Sequence, residues 1–187
     1  MTERDYQELA ESHVRRFFTG HEVVVATRAL GRADAEFPGL RVLEVQPGPR
    51  SSQWVYVSAG FGASHATTGH REFFVIGPRK ESWLAQVVAM LGPYHRERGL
   101  DFGHTLPLGE PWFPGSGMDH LLMSLPYTFG PELEVLTAGE LDVRFMWVLP
   151  IHESERRFKV EYGLEALEQR FDDAQLQYAD PGRPPVV

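Results

Sequence analysis

The stretch from Leu141 to Leu149 constrains the fold more than any other. Leu141, Val143, Phe145, Trp147 and Leu149 share one face of a strand, and Met146 and Val148 make the other face apolar too. A strand apolar on both faces belongs in the middle of a sheet that is covered on both sides. Pro150, which has no N–H to give a ladder, is expected to end it. Four strand signals precede it, at residues 22–29, 40–46, 53–59 and 72–76, each rich in Val or aromatic residues and bounded by Gly, Pro or Ser. The turns between them are short, as at Pro47, Gly48 and Pro49 and at residues 61–64, which favours antiparallel pairing. Residues 121–125 and 133–136 are shorter strand candidates around a turn from Pro126 to Pro131.

Helical spacing supplies the cover. Thr2 with Asp5 three residues on is a capping signal, and Tyr6, Leu9, Ala10, His13, Val14 and Phe17 then fall on one face. A second helix follows Ser82, with Trp83, Leu84, Val87, Val88, Leu91, Tyr94 and His95 as its buried stripe. The pair Gly92-Pro93 is expected to kink it or stop it early. Two more helical pieces lie at 153–161 and 163–171. The segment 99–117 is dense in Gly and Pro yet holds Phe102, Leu106, Leu108, Trp112 and Phe113, so it reads as a loop packed on the body or one that carries a site. The fold class is α+β, a sandwich of a mixed, mostly antiparallel sheet flanked by helices. Residues 1–178 are expected to form a single domain, and residues 179–187, with Pro181, Gly182, Pro184 and Pro185, a disordered tail.

Composition removes several classes of function. The 187 residues carry a formal net charge of −8 and no cysteine. An acidic surface repels phosphates and anionic lipid, so neither nucleic acid nor a membrane is an expected partner. Disulfides, thiolate metal sites and a cysteine nucleophile are absent with the residue itself. No apolar stretch near the N-terminus reads as a secretory signal and none approaches a membrane span, so the expected location is cytoplasmic.

Catalytic patterns fare poorly. His104, Asp119, His120, His152 and Glu153 are the best metal-ligating set, but neither His-x-x-x-His nor His-Glu-x-x-His occurs, and structural or surface roles outweigh a metal site. Gly115, Ser116 and Gly117 lack the spacing of a nucleophile elbow. The glycines at 60, 62 and 69 have no following Lys-Ser or Lys-Thr and read as turn residues, not a phosphate loop. The expectation is no enzyme, no metal and no cofactor; a metal-assisted hydrolase on the histidine set is the alternative. Trp112, Phe113, Tyr127 and Phe129 sit in Pro/Gly-rich loops, where aromatic side chains either anchor a partner or fold back as lids of the core. His104, Trp112, Asp119 and Tyr127 are expected to border the partner surface.

The ordered segments of the chain resemble the suppressor of fused family. They are the strand Trp54 to Gly60, the strand Gly69 to Ile76, the helix after Ser82, the step Gly103-His104, and the set Leu121, Leu122, Pro126 and Tyr127. The strand from Val143 ending in Pro150-Ile151, then Glu155, Gly163 and Leu167, completes the order. The resemblance covers about Val24 to Phe171. It implies protein binding without a reaction. The family includes the eukaryotic regulator of Hedgehog signalling, which has a second domain and grips a transcription factor peptide as an added strand. This chain is too short to hold that second domain and resembles the bacterial single-domain branch. That branch implies an immunity protein neutralising a toxin domain by stoichiometric binding. A regulator binding a peptide of a signalling or transcription protein is the alternative. In the regulator a helix Tyr and an Asp after the Gly step lie near the peptide groove. Tyr94 matches the Tyr, whereas the Asp position reads His104.

Overall fold

The computed structural model describes residues 2–27, 31–64 and 69–187, and not the side chains of residues 34, 63 and 64. Contacts divide the chain into two compact units, Met1–Leu100 with Leu125–Trp147, and Asp101–Ser124 with Val148–Val187. Among the described residues eight strands form a mixed, mostly antiparallel sheet, the architecture expected from the sequence.

The first unit begins with α1 (Glu3–Phe17), capped as the sequence predicts: the Asp5 N–H donates to Thr2 Oγ1, and the Thr2 N–H to the Asp5 carboxylate. A meander follows of β1 (Val23–Val25), β2 (Arg41–Val45), β3 (Trp54–Ala59) and β4 (His70–Gly77), all antiparallel. The short helix α2 (Arg32–Glu36) lies between β1 and β2. The strand expected over 22–29 is confined to β1, and its positions 28 and 29 lie outside the described residues. A 3₁₀ turn, Phe61–Ser64, leads toward β4, and α3 (Trp83–Arg98) follows β4. Next come α4 (Pro131–Glu134) and β7 (Val135–Ala138), the latter antiparallel to β8 (Leu141–His152). The numbers β5 and β6 belong to Thr105–Pro107 and Met118–Ser124 of the second unit. β8 pairs parallel with β4 from His70–Val143 to Phe74–Trp147.

Alternation along β4 explains the layers of this unit. Glu72 and Phe74 face α1 and its neighbours, with Glu72 bonded to Tyr6 and Phe74 against Phe129. Phe73, one residue out of phase, meets His95 of α3 edge-on. Glu72 is wholly buried and accepts from Tyr6 Oη (2.9 Å), Ser58 Oγ (2.5 Å), and the Gly60 and Gly62 N–H groups (3.0 and 3.1 Å). Burial raises its pKa, and the four donors work in the opposite direction. Gly62 is required there, because a Cβ would stand 2.0 Å from the Tyr6 hydroxyl.

Three local expectations are corrected. α3 runs unbroken through Pro93 to Arg98, where Gly99 ends it with φ +66°. The missing Pro93 N–H removes one helical bond, and the burial of Leu84, Val88, Leu91 and His95 holds the helix on both sides of the gap. β8 likewise continues past Pro150 to His152. The β4 ladder ends at Trp147, so on that side Pro150 has no ladder to interrupt. Residues 133 and 134, half of the strand candidate 133–136, belong instead to a helical turn, residues 131–134, started by Pro131.

In the second unit the strand order is β8-β6-β5, with β5 and β6 antiparallel. Helices α5 (Glu153–Tyr162) and α6 (Leu164–Asp173) follow β8. The tail expected to be disordered is instead held by Arg183, which is 4% exposed. Its guanidinium donates to both oxygens of the wholly buried Glu155 (2.6 and 2.8 Å) and to the Pro150 carbonyl (3.2 Å). Glu155 also accepts from the His152 and Val186 N–H groups. Composition flagged the prolines and glycine but not the ion pair that outweighs them.

Two predictions follow from these buried carboxylates. Tyr6→Phe leaves Glu72 one donor short and is expected to cost about 1–3 kcal/mol in urea unfolding. Arg183→Met strands Glu155 without a counter-charge and is expected to cost about 3–5 kcal/mol, more than Glu155→Gln combined with Arg183→Met. Equal stability of the single and double variants in the same unfolding assay would contradict the buried pair.

Candidate partner-binding groove

α3 is apolar toward the core and carries further apolar residues among polar ones on another face. Leu84, Val88 and Leu91 pack inward, while Gln86, Met90, Pro93, Tyr94 and Glu97 recur at helical spacing on the other side. With Arg32 and Ala33 of α2 they line a groove of about 360 Å³. Met90 is 38% exposed and Tyr94 42% exposed, one turn apart. Arg32 closes the rim by an ion pair to Glu97 at 2.8 Å and a second to Glu36. Arg96 also pairs with Glu36 and lies over the Phe37 ring, fixing α2 against α3. The groove thus offers an apolar floor with neutralised charge at its edge, which suits an apolar side chain of a protein partner better than an ion.

The other sequence-predicted residues are spread over both units. Tyr94 and Tyr127 belong to the first unit, and His104, Trp112 and Asp119 to the second. Tyr127 is 60% exposed in the turn before α4, whereas Phe129 of the same turn packs against Phe17, Phe18 and Phe74. His104 is exposed in the turn that precedes β5, where its Nδ1 accepts from the Asp101 N–H. Trp112 and Phe113 turn inward, at 2% and 3% exposure, and meet edge-on. Asp119 keeps 47% of its side chain in water.

The histidine set is brought together only in part, with His104 and His152 bonded elsewhere. In the second unit His120 stands between the Asp119 carboxylate (2.8 Å) and that of Glu153 (3.2 Å). Hydrogen bonds from Arg156 and Arg157 hold the Glu153 carboxyl down to about 2. His152 bonds the Arg183 carbonyl, and His104 closes its own turn. Among the described residues no group of three or more His, Asp or Glu is placed to hold a metal ion. Ser116 Oγ accepts from the Met118 N–H, the role of a turn residue.

Sequence reasoning placed Tyr94 in the buried stripe and found it a functional role only through the family resemblance; Met90 and the Arg32–Glu97 rim went unnoticed. The signal available for Met90 was its i,i+4 spacing to Tyr94 on a helix whose opposite face already suffices for the core.

Comparison with known proteins places the fold. The family model for suppressor of fused protein matches residues 37–184. A crystal structure of a suppressor of fused homolog from Neisseria gonorrhoeae FA 1090 is 35% identical, with 98% of each chain covered and a TM-score of 0.85. The chain in a Sufu-Fu complex is similar in fold at 15% identity, with 97% of this chain and 91% of that one covered and a TM-score of 0.68. Drosophila suppressor of fused matches at 14% identity and a TM-score of 0.57 over 84% of this chain, which spans about half of that protein, 49%. A search of curated proteins returns no match. The order of motifs, the mixed sheet and these matches together make the chain a member of the suppressor of fused family.

Proposed function

We propose that this domain acts by binding a protein partner in the groove between α2 and α3, with Tyr94 and Met90 as its anchors. The observation that carries the reading is this pair of exposed apolar side chains on an otherwise committed core helix. A relative of the same fold is held in a Sufu-Fu complex, which supports a protein as the class of partner. Tyr127 is exposed on the same unit, and His104 and Asp119 are exposed on the second unit, each open to a partner of its own unit. Trp112, being buried, does not itself anchor a partner.

The finer reading is that the partner is a toxin domain and that stoichiometric binding neutralises it in the cytoplasm of a bacterium. It rests on the resemblance to the single-domain branch, and it needs a complementary surface and no chemistry. A second reading, a regulator gripping a short peptide of a signalling or transcription protein, is favoured by the small volume of the groove, which holds a few side chains and not a folded domain.

Capture from the native lysate, followed by co-expression, separates these readings. One polypeptide held at near-equal stoichiometry, whose toxicity to cells is relieved by the chain, is the outcome expected for immunity. Capture through a short extended motif without toxicity points to the regulator. Tyr94→Ala is expected to weaken the captured complex by about 2 kcal/mol, roughly thirtyfold in Kd, without loss of fold. Unchanged affinity would place the interface elsewhere.

A further inference from the structure

One histidine of the first unit bridges two elements and uses both of its ring nitrogens to do so. His13 lies on α1, is 4% exposed, and stacks on Phe145 of β8 with 5.1 Å between ring centres. Its Nε2 stands 3.0 Å from the Leu133 carbonyl oxygen of α4, and its Nδ1 stands 3.3 Å from an Arg16 nitrogen. From this bridge we infer an acid-sensitive latch: a proton taken up at His13 Nδ1 loosens α4 from α1.

The two partners fix the protonation state of the ring. A carbonyl oxygen only accepts, so Nε2 carries the hydrogen and donates it. A guanidinium only donates, so Nδ1 presents a lone pair and no hydrogen. The ring is therefore the neutral Nε2–H tautomer, with neither nitrogen spare. The short helix α4 depends on it. The last carbonyls of a helix have no partner within it, and α4 is a single turn. Leu133 is wholly buried, so its carbonyl needs a donor from the protein, and His13 supplies one.

The surroundings do not favour a second proton. At Nδ1 it ends the bond from Arg16 and sets an N–H against a guanidinium. Phe145 keeps water from the ring and offers no acceptor. A groove of about 300 Å³ opens beside the ring, lined by His13, Arg16, Phe17, Arg50, Glu132 and Val135. Its carboxylate, Glu132, is engaged by Arg50 at 2.9 Å, and Glu134, the other acid of α4, is engaged by Arg144 of β8. Arg50 also lies over the Phe17 ring, one turn further along α1. Both acids of α4 are thus answered by arginines.

Burial holds the His13 imidazole below the usual histidine range; the Leu133 bond opposes this, and the Arg16 charge adds to it. A base whose pKa is depressed by folding supports the fold fully while it is neutral in both states, above about pH 6.5. As pH falls through that value the opened chain takes the proton first, and the bridge loses stability.

The test is an NMR titration of the isotope-labelled full chain from about pH 8 to about pH 5, the range in which histidine changes charge. Two quantities are read: the His13 ring shifts, and the hydrogen-exchange protection of the Leu133, Glu134 and Val135 amides, corrected for the intrinsic pH dependence of exchange. These amides bond to the Gly130 and Pro131 carbonyls and report on α4. The Nε2–H tautomer is expected at neutral pH, with a titration midpoint below the ordinary histidine value. Protection of α4 is expected to fall severalfold as the pH drops through the histidine range. His13→Gln keeps a donor for Leu133 and does not titrate, so its α4 protection is expected to stay level. The Nδ1–H tautomer, a midpoint at or above the ordinary value, level protection in the unaltered chain, or an equal loss in His13→Gln overturns the latch.

Discussion

The first unit is organised around one buried carboxylate. Glu72 sits at zero exposure on β4 and draws together a helix through Tyr6, the neighbouring strand through Ser58, and a Gly-rich turn through two backbone N–H groups. Ser58 extends the network by accepting from the Phe73 N–H. A buried charge or acid is costly without such partners, and here they come from two parts of the chain, α1 and residues 58–62. The cluster therefore fixes where α1 lies against the sheet and how the turn after β3 is shaped. Both the glycine at 62 and the tyrosine at 6 are tied to it by sterics.

The second unit repeats the strategy with a full ion pair. Glu155 and Arg183 are both buried, and the pair gathers backbone groups of Pro150, His152, Pro184 and Val186 around it. Burying such a pair yields little net stability over an apolar substitute, but it demands one geometry. Its effect here is to give a Pro- and Gly-containing segment one seat in which the Arg183 side chain alone is deeply enclosed.

Much of this was legible from local pattern. The apolar pattern from Leu141 to Leu149 announced a strand, which is buried on both faces from Phe145 on while Asp142 and Arg144 stay exposed, and the Thr2–Asp5 spacing announced the start of α1, because both signals act between near neighbours in sequence. What failed depended on distant partners. Pro93 and Pro150 look like terminators until the packing of α3 and the end of the β4 ladder are known. Arg183 looks like part of a loose tail until Glu155, 28 residues earlier, is seen to need it. For the proposed site, Tyr94 was singled out through family resemblance alone, whereas Met90 carries no motif and becomes visible only as an exposed apolar group. Trp112 shows the converse, an aromatic in a loop that serves the interior.

In the proposed function α3 presents the binding surface, and the buried Glu72 holds the frame of the same unit. Site-specific photo-cross-linking in the native cell tests this most directly, with a benzophenone side chain placed at position 90 and, as a control, at the still more exposed position 160 on α5. The account predicts one dominant cross-linked polypeptide from position 90 and none from position 160. Cross-links from position 160 alone, or none from position 90 in cells where the chain is engaged, would contradict it.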